Sequence, residues 1–593
     1  MRNILIAIIF GVFGSLSLSS AAKAQSGEVA ITKTYLYKLI DEVAAFDLAN
    51  DPIAAGRDGD MQALRKMPDV SQKTDISRQH QNKKYLRRIN AILQQDLATT
   101  DRINADLLHY LLSNRVARGN FDTSTMPFTN DSGFHTGLDF IARTTRITSV
   151  EQGEAWVARL GDVPRYLAEH RQNIARGLDS GFSQPKLIVE GVVETLQAQI
   201  ADDSMLDSLL APLDALPAST SAEEKQRLTS QITQAFKQQV LPAYQQTYVF
   251  MRDEVLPKSR DSIGISAAPN GREYYEVMVK AFTTTDMSAQ QVHDLGKSEV
   301  ARIRAEMQGV IAETGFDGSF AEFLQFLRTD PQFYAKTADE LLMRASYISK
   351  QADDKMPEFF GKLPRLPYGV RPVPANIAPN YTTARYWPGD IKQGRAGGYM
   401  VNTYDLKSRP LYELPALSVH EAVPGHHHQI ALAQELKDVP KFRTRLYVTA
   451  FGEGWGLYTE KLAVEMGIYK TPYEHFGRLT YEMWRACRLV MDTGIHAFGW
   501  SREQAKSCLT DNSALALHNI ETETNRYISW PGQALGYKIG ELTIWRLRHK
   551  AETELGDKFD IRAFHDEILK DGSMTMAMLE AKIEKWIKRA QGE

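Results

Sequence analysis

The chain has 593 residues, of which 43% are apolar and 24% are charged, as in ordinary globular proteins. These fractions exclude disordered, collagen-like and small disulfide-stapled proteins. The 70 basic and 73 acidic side chains nearly balance, so no basic excess supports nucleic-acid binding. Two cysteines are too few for a metal site built from cysteine ligands.

Residues 1–24 have the pattern of a secretory signal peptide. An apolar run from Ile4 to about Leu18 follows an early arginine and precedes the small-x-small sequence A-K-A. We expect cleavage between Ala24 and Gln25, with an uncleaved membrane anchor as the alternative. No cysteine follows the apolar run, which argues against a lipoprotein. We therefore expect a periplasmic or secreted protein that is not attached to a membrane after cleavage.

The rest of the chain has mainly helical periodicity, with apolar residues at three-and-four spacing. The pattern predicts one large helical domain over residues 25–593, with a possible subdomain division near residue 260. A proline-rich segment at 361–380 interrupts the helices, and a strand is predicted at 397–404. The clearest predicted helices span residues 32–50, 85–112, 186–211 and 287–314, and helices resume from about 415.

The strongest chemical signal is the segment L-P-A-L-S-V-H-E-A-V-P-G-H-H-H-Q, which begins at residue 414. Zinc peptidases commonly place two histidine ligands at i and i+4 of one helix, in the pattern H-E-x-x-H. Here His420 is followed at i+4 by Pro424, and the next histidine, His426, lies at i+6. On an ideal helix, that position is about 120° away from the face of His420.

A bulge at Pro424-Gly425 would remove this mismatch, because proline breaks a helix and glycine tolerates unusual dihedral angles. Two extra residues there would return His426 to the place of an i+4 ligand. His427, at i+7, is the alternative; it shares the face of His420 but lies about 10 Å along the axis. A histidine-rich surface turn is the non-functional alternative.

A third protein ligand is expected, because catalytic zinc keeps three protein ligands and one open position. The candidate is Glu453 in F-G-E-G-W-G-L-Y, 27 residues after His426. That interval is long enough for one helix, a turn and the start of an antiparallel helix. Glu460 and Glu482 are the other candidates, and a simple helix-start carboxylate is the alternative for Glu453.

These motifs carry a family resemblance. H-E-A-V-P-G-H-H-H-Q, G-E-G-W-G-L-Y-T-E and R-Y-I-S-W-P-G-Q-A-L-G-Y-K-I-G together resemble a bacterial family known only as domain of unknown function number 885. That family is similar to the glutamate-zincin peptidases of the thimet oligopeptidase and carboxypeptidase Taq type. The resemblance implies a mainly α, zincin-like fold with a small antiparallel sheet lining a deep cleft. It also implies that His420, His426 and Glu453 bind Zn²⁺.

The implied reaction is metal-assisted hydrolysis of an amide in a peptide or small amide substrate. Glu421 would act as general base, taking a proton from water and passing it to the leaving amine. Related peptidases stabilise the oxyanion with a late tyrosine, for which Tyr537 is favoured and Tyr527 is the alternative. Arg526 could bind a substrate carboxylate or form an ordinary surface ion pair. A zinc hydrolase of a non-peptide amide or ester, and a non-catalytic metal- or peptide-binding protein, remain the alternatives.

Three further patterns carry expectations of their own. The strand at 397–404 could pair, as an edge strand, with an extended substrate, or it could be a plain structural hairpin. Asp492 and His496 form an i, i+4 pair that either orients a metal ligand or makes a structural hydrogen bond. Cys487 and Cys508 could form a disulfide in an oxidising compartment or remain buried thiols.

Overall fold

The computed structural model describes residues 32–375, 378–391 and 394–592. The predicted signal peptide lies outside these residues. The chain forms two compact units that divide between Asn120 and Phe121. The possible division near residue 260 falls inside the second unit. Within the described ranges, no helix is both long and apolar enough to cross a bilayer.

The first unit is a set of helices, of which the two longest pack against each other. The helix predicted at 32–50 is confirmed. The single helix predicted at 85–112 is wrong, because a loop at residues 94–98 divides this segment into two helices. The apolar periodicity continues on both sides of the loop and therefore hid it. The helices are α1 (residues 32–49), α2 (Pro52–Arg57), α3 (Met61–Leu64), α4 (Gln72–Leu93) and α5 (Thr99–Arg118).

The second unit is also mainly helical. Side-chain caps start several helices, and Ser221 and Ser288 each form a capping box with the residue three positions later. Its helices are α6 (Phe134–Thr144), α7 (Val150–Ser180), α8 (Lys186–Gln199), α9 (Ser204–Leu210), α10 (Ala222–Ala235), α11 (Leu241–Phe250), α12 (Leu256–Lys258), α13 (Gly271–Thr283), α14 (Ala289–Thr314), α15 (Phe320–Thr329), α16 (Ala338–Phe359), α17 (Leu414–Glu421), α18 (His426–Gln434), α19 (Thr449–Glu465), α20 (Pro472–His496), α21 (Arg502–Asn512), α22 (Leu517–Ser529), α23 (Gly536–Leu555), α24 (Ile561–Leu569) and α25 (Met576–Gln591).

A small sheet lies in the second unit, formed by β1 (Tyr368–Pro372), β2 (Ala384–Trp387) and β3 (Gly397–Val401) in the order β1-β3-β2. β3 pairs antiparallel with β2 but parallel with β1, so the expectation of an antiparallel sheet is only half right. The long connection between β1 and β3, which contains β2, allows the parallel pairing.

The strand predicted at 397–404 is confirmed as β3, although it ends at Val401. Its expected role as an edge strand is wrong, because β1 and β2 occupy both of its hydrogen-bonding edges. All five β3 residues are buried. β2 lies at an edge of the sheet instead.

Helix α20 forms the centre of the second unit. It is buried on every side from Phe476 to His496, as expected for a helix surrounded by other elements. Cys487 of α20 and Cys508 of α21 form a disulfide, with Cα atoms 5.7 Å apart. The site described below is built from α17, α18 and α19; α17, α19 and α23 pack against α20, and α18 packs against α17 and α19.

Candidate metal centre

The helical conformation is interrupted between α17 and α18, where the sequence predicts a bulge. α17 ends at Glu421 and α18 begins at His426, with a cis peptide bond between Val423 and Pro424. The Gly425 N–H donates to the Val419 carbonyl oxygen at 2.9 Å. A Cβ atom at Gly425 would lie 1.9 Å from the His420 carbonyl oxygen, so this close approach requires glycine.

The break brings two imidazoles and one carboxylate together. His420 Nε2 lies 3.6 Å from Glu453 Oε2, and His426 Nε2 lies 3.5 Å from the same oxygen. One ligand atom from each of the three residues lies within 4.8 Å of the others. A tetrahedral zinc ion with ligand distances of about 2.1 Å holds its ligand atoms about 3.4 Å apart. The spacing of this triad therefore suits a small divalent cation.

The three consecutive histidines face different surroundings. The His427 ring lies 4.6 Å from the Tyr368 ring, and its Nδ1 lies 2.9 Å from the Tyr386 hydroxyl. The His428 ring packs against Phe360 at 4.7 Å. The structure thus brings His426, but neither His427 nor His428, close to His420 and Glu453.

Glu460 contacts the ring nitrogen of His420 that does not face Glu453. Glu460 Oε1 lies 2.8 Å from His420 Nδ1, which leaves Nε2 free to face Glu453. Gly456 makes room for the ring, because a Cβ there would lie 2.6 Å from His420 Cε1. Arg485 Nη2 lies 3.5 Å from the same Glu460 oxygen. Glu460 is therefore placed to orient a ligand rather than to serve as one.

The second oxygen of Glu453 has its own partner. Tyr447 donates its hydroxyl hydrogen to Glu453 Oε1 at 2.9 Å, and the residue as a whole is 41% exposed. Burial raises the pKa of Glu453, but the neighbouring His426 and His420 outweigh it and hold that pKa well below its usual range. Burial lowers the pKa of His420, but Glu453 and Glu460 raise it to about 10. These carboxylates favour positive charge at the centre, which a bound cation would supply.

Glu421 follows His420 directly and is 8% exposed. Its Oε2 accepts a hydrogen bond from the Tyr386 backbone N–H at 2.7 Å. Tyr386 lies in β2, so this bond fixes an edge of the sheet beside the predicted general base.

The two tyrosine candidates have different environments. Tyr527 is fully engaged, because its oxygen accepts from Trp484 Nε1 at 2.7 Å and Arg488 Nε at 2.8 Å while its hydrogen goes to Glu523. Tyr537 lies in the first turn of α23, and the centre of its ring lies 4.2 Å from the Arg488 guanidinium carbon. Because the Tyr527 hydroxyl is committed to its three partners, Tyr537 is the better candidate for the oxyanion donor.

The remaining candidates lie elsewhere. Glu482 is buried in an ion-pair cluster, 2.9 Å from Lys538 Nζ and 2.6 Å from Arg478 Nη1, so it is not a ligand of the triad. Asp492 accepts from the Tyr275 hydroxyl at 2.6 Å and from the Gly532 N–H. His496 Nδ1 likewise accepts the Ile265 N–H at 3.1 Å. Asp492 and His496 thus make structural hydrogen bonds, which is the second of the two expectations for them.

Sequence reasoning missed Tyr447 and the backbone contact of Tyr386, and it offered Glu460 only as an alternative metal ligand. Tyr447 lies six residues before Glu453 without any motif of its own, and the Tyr386 contact uses its backbone. Only Glu460 carried a signal, since it lies two turns after Glu453 on the same helix.

The sequence from residue 52 to residue 583 matches the family model described as "Bacterial protein of unknown function (DUF885)". The chain belongs to this family, as the motifs suggested. No curated protein sequence matches it.

Among the solved structures that resemble this protein, two match most of the chain. A "putative lipoprotein" from Colwellia psychrerythraea is 27% identical, with a TM-score of 0.85, and the match covers 94% of this chain and 99% of that one. A "putative lipoprotein of unknown function" from Shewanella oneidensis is 20% identical, with a TM-score of 0.69 and coverage of 92% and 98%. The second likeness concerns the fold alone.

Proposed function

We propose that this protein is a zinc-dependent hydrolase with a zincin-like fold, and that it acts as a peptidase on short peptides. The observation that carries the proposal is the triad of His420, His426 and Glu453 at the spacing of metal ligands, with Glu421 beside it. Two imidazoles and one carboxylate form a donor set typical of catalytic zinc, with one position open. When bound, the ion would activate water and polarise the scissile carbonyl group.

The protein's own groups have separate roles in this proposal. Glu421 takes a proton from water and delivers it to the leaving amine. Tyr537 donates a hydrogen bond to the oxyanion as negative charge develops there. Tyr447 and Glu460 hold the ligands Glu453 and His420 in place through their hydrogen bonds.

The edge strand β2 would bind the substrate backbone in a cleft over the triad. Its Tyr386 N–H already points away from β3 and toward Glu421. An extended peptide that added to this edge would lie beside the general base. This role replaces the one expected of β3, which has no free edge.

We also propose that the protein is exported to the periplasm or secreted. The disulfide between Cys487 and Cys508 suits an oxidising compartment. The similar Colwellia protein is described as a putative lipoprotein, a class of exported protein. Cleavage after Ala24 would leave this chain without a lipid-bearing cysteine at its new start.

The test is to replace Glu421 with glutamine and measure hydrolysis of a panel of short peptides, amides and esters. We expect the rate to fall on the order of 10²- to 10⁴-fold, because a positioned general base contributes about that much. Bound zinc should remain, because Glu421 is not a ligand. Glu503→Gln is the matched control, since its side chain is 75% exposed. Undiminished hydrolysis by Glu421→Gln would rule out this mechanism.

A further inference from the structure

Beside Tyr537 lies a group of charged side chains that the proposed mechanism does not use. It consists of two arginines, Arg488 and Arg526, which share the single carboxylate Glu523. Arg488 Nη2 donates to Glu523 Oε2 at 3.1 Å, and Arg526 Nη1 lies 3.6 Å from Glu523 Oε1. Since one carboxylate balances only one guanidinium, this arginine pair keeps one positive charge in excess.

The arginine pair also contains a hydrogen-bond donor that has no partner in the described part of the chain. Arg488 Nη1 is buried and has no hydrogen-bond partner among the described residues. Arg526 uses Nη2 to donate to Gln533 at 3.0 Å, while the contact of its Nη1 with Glu523 is too long for a hydrogen bond. A buried donor without a partner is costly, so such a group is expected to have a use.

The arginine pair adjoins the proposed catalytic centre. The Arg488 guanidinium carbon lies 4.2 Å from the centre of the Tyr537 ring. Both guanidinium groups contact Glu523, so Arg526 lies beside Arg488. The side chain of Arg526 is 17% exposed, whereas that of Arg488 is 3% exposed. A ligand would therefore meet Arg526 first, with Arg488 behind it.

We propose that Arg526, supported by Arg488, binds a carboxylate of the substrate. This inference rests on the proposed function and names its substrate class. Guanidinium groups bind carboxylates with paired, charge-assisted hydrogen bonds. With the scissile carbonyl at Tyr537, the bound carboxylate would lie one or two residues away, because an extended residue spans about 3.5 Å. The enzyme then shortens peptides from a free carboxyl end rather than cutting inside long chains.

The test compares tetra-alanine with a free carboxyl end, tetra-alanine amide, and Ala-Ala-Ala-Glu amide, which carries its carboxylate on a side chain. We expect kcat/KM for the free acid to exceed that for tetra-alanine amide on the order of 10- to 100-fold, as charged hydrogen bonds would give. The Glu-containing amide separates the two positions of the carboxylate: hydrolysis as slow as that of tetra-alanine amide would support trimming from a free carboxyl end, and hydrolysis as fast as that of the free acid would contradict it.

Arg526→Met should lower kcat/KM for the free acid toward the value for the amide, with bound zinc retained, and Arg526→Lys should restore part of the preference. Arg546→Met is the matched control, because Arg546 lies on α23 with its side chain 56% exposed. Equal kcat/KM for acid and amide in the wild type, or an unchanged preference in Arg526→Met, would overturn the inference.

A wild-type protein that cuts none of the peptides would defeat the proposed function but not this inference. In that case, calorimetry measures binding of the same peptides to the wild type and to Arg526→Met. Tighter binding of the free acid than of the amide by the wild type, with this difference lost in Arg526→Met, would support the arginine pair. Equal binding of acid and amide, or none, would reject it.

Discussion

At the scale of single residues, a break in one helix gives three successive histidines three different environments. His426 faces the triad, whereas burial lowers the pKa of His427 to about 4 and that of His428 to about 3. Those two rings are therefore neutral at pH 7 and pack against aromatic neighbours. The position of one glycine, Gly425, allows the chain to turn between His420 and His426.

Glu460 offers a test of how the ligands are held. Glu460→Gln should weaken zinc binding by about 10- to 100-fold, because it replaces the carboxylate that orients His420. Competition with a chromophoric chelator measures the zinc affinity. Glu465→Gln on the same helix is the control, since its side chain is 43% exposed and pairs with Arg548. Equal zinc affinity in Glu460→Gln and the wild type would show that Glu460 does not position His420.

At the scale of elements, the crossing of α19 and α23 sets the distance between Glu453 and Tyr537. The two helices meet at Gly454 and Gly540, where a Cβ on Gly454 would lie 2.5 Å from the Gly540 Cα atom. Glu453 precedes Gly454 directly, and Tyr537 lies one turn before Gly540. The close approach of the two backbones therefore brings a proposed ligand and the proposed oxyanion donor near each other.

Gly540→Ala should destabilise the protein, because its Cβ would lie 1.8 Å from the Ala450 carbonyl oxygen. We expect a loss of about 1–3 kcal/mol or more in the free energy of unfolding, as for other overpacked sites. Gly309→Ala in α14 is the control, since a Cβ there meets nothing within 4 Å and should stabilise the helix slightly. Urea unfolding measures both, and equal stability of the two variants would contradict the described crossing.

At the scale of the whole molecule, the sequence predicted the helical class and the triad but not the arrangement of the sheet. The triad was predictable because ligand type and spacing are local, and the glycine after Pro424 marked the break. The sheet was not, because β1 and β2 are short strands and their order depends on distant contacts. The division after Asn120 was missed because helical periodicity continues on both sides of it.

Buried neutral histidines should make the molecule sensitive to acid. Burial lowers the pKa of His170 to about 3 and that of His135 to about 4, and none of their ring nitrogens has a hydrogen-bond partner in the described chain. The folded-state pKa values lie below the unfolded value of about 6.5. The unfolded state therefore binds protons first, and stability present above pH 6.5 falls as the pH drops toward 3.

Between pH 7 and pH 5, the free energy of unfolding should fall less steeply with pH for His170→Phe than for the wild type. The two slopes should differ by up to about 1.4 kcal/mol per pH unit. The exposed His518, changed to Phe, is the control and should follow the wild type. Urea unfolding at several pH values measures the difference. Parallel pH curves for His170→Phe and the wild type would show that His170 is not held neutral in the folded protein.

The most direct test of the account is the metal content of the purified protein, measured by elemental mass spectrometry for the wild type, His426→Gln and His427→Gln. We predict about one zinc ion per chain in the wild type and in His427→Gln, and a loss of zinc in His426→Gln. A wild-type protein prepared without chelators that takes up no stoichiometric divalent metal, or a loss of metal from His427→Gln alone, would contradict it.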